Sequence, residues 1–112
     1  MSLALAIYYS DSRERISHPF SFQEVLRRSW WPLAKRLNLP LLQQLECLIV
    51  KNRNDAEQLM AEFEAVKLAL KTPENAGILS GDAPYMLQRI GEVEPLIREA
   101  IRDWESVDHI SL

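Results

Sequence analysis

The chain has 112 residues, 47% of them apolar and 26% charged. That is enough for one domain with its own hydrophobic core, and the balance excludes a disordered chain. Its single cysteine, Cys47, rules out an intramolecular disulfide. Charge divides by position. Residues 1–53 hold eight Arg or Lys against four Asp or Glu, and residues 54–112 hold five against twelve, for a total of −3. The split marks either a face for a charged partner or two halves that fit each other.

Residues 3–9 place Leu3, Leu5, Ile7 and Tyr9 at every second position, the period of a strand with one buried face. The run is apolar but short, has no cationic region before it, and does not read as a targeting signal. No apolar stretch approaches the roughly 20 residues of a membrane helix. The expectation is a soluble cytoplasmic protein that needs no cofactor. Residues 10–18 are polar and read as a loop or hairpin.

Ser21 with Glu24 three residues later fits a capping box, and Phe20 with Val25 fits a hydrophobic staple. Phe22, Val25, Leu26, Trp30, Leu33 and Leu37 follow on one helical face. Pro32 interrupts this helix and predicts a kink or restart. Pro40 opens a further helical segment carrying Leu41, Leu42 and Leu45. Residues 47–50 either continue it or form a buried strand. Cys47, among acidic and apolar neighbours, reads as a small core residue.

Asn54 as cap, Glu57 completing the box and Asp55 near the positive dipole end predict a helix over 55–71. Its stripe is Ala56, Leu59, Met60, Phe63, Val66 and Leu70, and Thr72-Pro73 stops it. Residues 74–81 read as a loop. Asp82 caps a short helix through Ile90, Gly91 weakens it, and Pro95 opens a final helix. Leu96, Ile97, Ala100, Ile101 and Trp104 share one face of that helix, and Glu94 pairs with Arg98 on the other. Residues 107–112 return to two-residue alternation. The fold class is therefore α+β and mainly helical, with four to five helices packed on a small sheet formed by the N- and C-terminal strands.

Several chemistries lack their residues. There is no Gly-rich phosphate loop, no His-Glu-x-x-His and no paired cysteine. His18 and His109 lie far apart in sequence, and no carboxylate pair stands out as acid and base, so the chain reads as a non-enzyme without a metal site.

Two surfaces remain. Trp31 points away from its helix's apolar stripe, with Arg27, Arg28 and Lys35 one turn away. It either stacks on a base or a protein partner, or packs under another element where Pro32 redirects the chain. Trp30 and Trp104 lie on apolar stripes and read as core. The second surface is the back of the 55–71 helix, where Glu57, Ala61, Glu64 and Leu68 align. An apolar residue among outward acids suits a basic protein partner. Against that stands the reading of Leu68 as a scattered surface residue or a contact with a neighbouring element. A pI near 5.4 disfavours nucleic acid.

The element order resembles that of small α+β immunity proteins from bacterial polymorphic toxin systems. The residues that carry this are Leu42-Gln43-Gln44-Leu45, the Ala/Glu/Leu-rich 56–70 segment, and Pro95-Leu96-Ile97-Arg98-Glu99-Ala100-Ile101 leading into the tail. The family's Glu-Leu-x-x-Ile pattern with a following Leu is similar to Glu62-Phe63-Glu64-Ala65-Val66 with Leu70, where Phe and Val replace the aliphatics. The resemblance carries no catalytic residue. It implies a cytoplasmic protein that binds and neutralises a cognate toxin, a basic toxin domain if the acidic helix face is what docks.

Overall fold

The computed structural model describes residues 2–72 and 81–112. Strand β1 (Ser2–Tyr9) runs antiparallel to β2 (Ile16–Phe22) on one side and to β4 (Val107–Ser111) on the other, and β3 (Ile49–Val50) pairs with β4. The sheet order is β2-β1-β4-β3, so the N- and C-terminal strands form its centre, as the alternation predicted. Leu5, Ile7, Phe20, Val50, Val107 and Ile110 face one core shared with the helices. Ala4, Ser17, Pro19 and Ile49 are exposed. The α+β, mainly helical class holds.

Two bulges adjust the register. Tyr8 pairs with His109 but Tyr9 with Val107, which leaves Asp108 as the extra residue. Val107 and Ile110, three apart, can then both face inward. Between Leu3 and Ala4 the partner skips from Ser21 to Pro19, and the intervening Phe20 is fully buried.

The capping box at Ser21 does not form. Ser21 is drawn into β2 by pairing with Leu3, and its hydroxyl accepts the Trp30 Nε1–H at 3.2 Å. Helix α1 (Gln23–Val25) therefore starts at Phe22 without a side-chain cap. It passes into a π turn over Leu26–Trp30 and then α2 (Trp31–Arg36). The Trp31 N–H reaches back five residues to the Leu26 carbonyl. Pro32, next in line, has no N–H to give in either register, and it falls in the first turn of α2, with the backbone helical at Trp30 and Trp31 before it. Asn38, at φ 57, closes α2 with the two back-bonds of a Schellman motif, Leu39 N–H to Ala34 O and Asn38 N–H to Lys35 O.

After Pro40 the helical segment is a 3₁₀ turn over Leu42–Cys47, broken in dihedral at Gln44. Leu42 and Leu45 are buried, and the chain then becomes strand β3. Cys47 is exposed, not core, because it sits at the outward end of that turn.

Helix α3 (Arg53–Leu70) has its cap two residues before the expected one. Asn52, not Asn54, accepts the Asp55 N–H at 2.8 Å, because only Asn52 has extended backbone angles. Pro73, expected to stop this helix, and residues 74–80 of the expected 74–81 loop lie outside the described residues. Helix α4 (Asp82–Arg102) is one continuous helix, where two were expected. The Pro95 ring deprives the Gly91 carbonyl of its donor, but both residues are exposed and water can serve it. Asp82 is the first residue of α4, not its cap, and Gly81 precedes it.

Candidate functional site

Helix α3 buries Ala56, Leu59, Phe63, Val66 and Ala69 against the core and leaves Glu57, Ala61, Glu64 and Leu68 exposed on its back. Leu68 is 68% exposed, more than Phe22 or Ile49, the other exposed large apolar residues among the described ones. Phe22 stacks on Tyr85 at 5.8 Å, so its ring is engaged within the fold. Glu64 is exposed but not free. It pairs with Lys67 at 2.6 Å, and Lys67 also reaches Glu94 on α4 at 2.9 Å. The Lys67 hydrogen bond holds the Glu64 carboxyl below the usual range, and the two glutamates together, Glu64 first, push the Lys67 ammonium up. Glu94 is therefore turned inward to Lys67 and does not pair with Arg98. The Glu99–Arg102 pair on the same helix is present at 3.1 Å.

Trp31 is half-buried at the rim of an open groove of about 490 Å³, lined by Arg27, Trp31, Pro32, Lys35 and Gln43. Its Nε1 is enclosed and meets no acceptor among the described residues. The groove is therefore met by the rest of the indole. Arg27 and Lys35 are exposed and have no ion pair among the described residues.

Arg28 does not belong to this groove. The π turn aims it at α4, where its guanidinium donates twice to Asp82, at 2.8 and 2.7 Å. The buried Ser29 hydroxyl donates to the same carboxylate at 2.5 Å. Asp82 is 5% exposed, and the Arg28 hydrogen bonds hold its carboxyl below the usual range against the cost of burial. Counting 100° per residue places Arg28 beside Trp31. The i→i+5 turn changes that phase.

Sequence reasoning missed two carboxylates. Glu62, 4% exposed, accepts the backbone N–H of Leu42 at 2.9 Å and of Leu41 at 3.2 Å, capping the 3₁₀ turn from α3. Its signal was available, since Glu62 lies within the apolar stripe between Leu59 and Val66. Asp82 had the same property of an acid that burial must pair.

Trp30 is core, at 1% exposure, while Trp104 is half-buried. The two histidines stay apart, with β1 between their strands. His18 meets Glu92 at 2.9 Å, and His109 stacks on Tyr8 at 4.4 Å. No group of three His, Cys, Asp or Glu side chains is placed to hold a metal among the described residues. No helix among them is long and apolar enough to cross a membrane. Comparison with protein-family models, curated proteins and solved structures yields no match.

Proposed function

We propose that the chain is a non-enzymatic, cytoplasmic protein-binding domain that docks a partner through the back of α3. The supporting observation is Leu68, 68% exposed at the C-terminal end of the outward row Glu57, Ala61, Glu64 and Leu68 of one regular helix. A leucine so exposed loses nothing in the free protein when a partner covers it, and gains the transfer of its side chain from water. Glu57, further along the same row and without an ion pair among the described residues, favours a partner with a basic rim. The finer reading, that the partner is a toxin domain which this protein neutralises, rests on the resemblance in element order.

The triple variant Glu57→Lys, Glu64→Lys, Leu68→Asp tests the surface. Captured from the native host, the partner should bind the wild-type chain and fail to bind the variant. Equal capture by both would remove α3 from the interface. Growth rescue on co-expression with an adjacent toxin gene, lost in the triple variant, tests the finer reading.

A further inference from the structure

The geometry points to the Trp31 groove as a docking site for a short acidic peptide of the pattern acid–x–apolar–x–acid, bound extended along α2. Arg27, Trp31 and Lys35 succeed one another at four-residue steps on one helical run. The i→i+5 turn holds more than four residues per turn, so the step from Arg27 to Trp31 falls a little short of a full turn where an α-helix would overshoot it, offsetting the overshoot of the step from Trp31 to Lys35. The three side chains thus form a line, cation, indole, cation, beside one groove. The step from Trp31 to Lys35, in α2, rises about 6 Å along the axis, and the wider π turn makes the step from Arg27 to Trp31 somewhat shorter. In an extended peptide, alternate side chains lie on one face and are separated by about 6.6 Å. Two carboxylates flanking an apolar side chain at alternate positions therefore match Arg27, Trp31 and Lys35 in turn.

Three observations select this occupant. Among the described residues no carboxylate lines the groove, so the charge of Arg27 and Lys35 is left for an anion. The enclosed Trp31 Nε1 offers the occupant no donor, which leaves indole carbon surface for an apolar anchor. Gln43, exposed at the groove, can both donate to and accept from a peptide backbone. A nucleic-acid strand fits less well. It carries a phosphate every ~3.4 Å of duplex axis and needs a basic track, whereas two cations stand here on a chain of net charge −3.

The test is titration of the purified chain with capped nine-residue peptides, read by Trp fluorescence and calorimetry. The probe carries aspartate, leucine and aspartate at alternate central positions in a Gly/Ser background. Saturable binding is expected, weakened about ten-fold or more by Arg27→Glu or by Lys35→Glu, and likewise when both probe aspartates become asparagine. A peptide with its two aspartates adjacent should bind correspondingly less. Both arginine and lysine side chains are exposed, so these variants should retain the wild-type circular dichroism even where Trp31→Ala does not. The triple α3 variant should bind the peptide normally, which separates this site from the α3 surface. No binding of the probe at millimolar concentration overturns the inference. So does indifference to aspartate spacing or to both charge reversals, or tighter binding of a nine-nucleotide single strand at the same salt.

Discussion

Asp82 ties the acidic C-terminal half to the basic N-terminal half, and Asp82→Ala measures what that tie contributes. The carboxylate is 5% exposed, accepts two hydrogen bonds from Arg28 and one from Ser29, and opens α4, where the helix dipole also favours a negative charge. Truncation strands the Ser29 hydroxyl, which is 0% exposed, at about 1–3 kcal/mol. Loss of charge-assisted acceptance at the buried carboxylate adds about 1.5–3 kcal/mol. Arg28 is half in water and relaxes outward, so Arg28→Ala should cost less than Asp82→Ala. The expected loss for Asp82→Ala is roughly 3–4 kcal/mol, a large share of the stability of a domain this size. It corresponds to a Tm lower by about 12–16 °C.

The pH dependence follows from the same contacts. Arg28 holds the Asp82 carboxyl below its free value of 3.8. Below that value the unfolded chain binds a proton that the native state does not, so acid favours unfolding. The contribution is complete above the unfolded pKa and is lost as pH falls through the native one. Urea unfolding of wild type and Asp82→Ala, followed by far-UV circular dichroism at pH 7, 4, 3 and 2, should show the two curves far apart at neutral pH and converging below about pH 4. A loss under about 1 kcal/mol at pH 7, or a gap that stays constant down to pH 2, would refute the account.

Other positions carry equally direct expectations. Glu62→Ala leaves the Leu41 and Leu42 N–H groups without their acceptor and should cost about 2–4 kcal/mol in urea unfolding, with Glu62→Gln, which keeps one acceptor oxygen, losing less. Gly91 is exposed inside α4 with nothing within 4 Å of an added Cβ, so Gly91→Ala should stabilise by about 0.5–1 kcal/mol and raise Tm. A fall in Tm would show that the helix is bent at Gly91 in a way alanine cannot follow. Lys67→Met leaves the buried Glu94 carboxylate uncompensated and should cost about 3 kcal/mol. The double change Lys67→Met, Glu94→Leu should recover most of it, and a double variant no better than the single would show that the pair is not the cause.

The two-residue alternation of residues 3–9 and 107–112 made the central strand pair legible, although the bulge at Asp108 that brings both Val107 and Ile110 inward was not. Long-range pairing made the rest illegible. Ser21 has the residues of a capping box, but the hydrogen bond of Trp30 and the register of β2 claim its side chain and backbone. Pro95 reads as a helix start, yet α4 runs through it because the lost bond faces water. At the groove, Trp31, Arg27 and Lys35 were readable from one helix, whereas Gln43 comes from the 3₁₀ turn and Arg28 leaves through a π turn that no local pattern announces. Cys47 shows the limit of composition, since an apolar neighbourhood in sequence did not bury it.

The opposite charges of the two halves meet in three ion pairs across the fold, and the acids of α3 are partly held as well, which decides where binding energy at α3 must come from. Arg13 meets Asp103 at 2.7 Å, His18 meets Glu92 and Arg28 meets Asp82, each joining residues 1–53 to residues 54–112. Of the acids on the back of α3, Glu64 is held by Lys67, and Glu57 alone has no ion pair or hydrogen bond among the described residues. A partner therefore finds one uncommitted carboxylate and one exposed leucine. Burying a leucine side chain is worth about 1.5–3 kcal/mol in full, so covering one that is 68% exposed should be worth about ten-fold in Kd. A rim charge contributes about two-fold and mostly to the association rate. Leu68→Ala should accordingly weaken partner binding about ten-fold through faster dissociation, and Glu57→Gln about two-fold through slower, salt-dependent association. If Glu57→Gln weakens binding more than Leu68→Ala does, the interface is electrostatic and the exposed leucine is incidental to it.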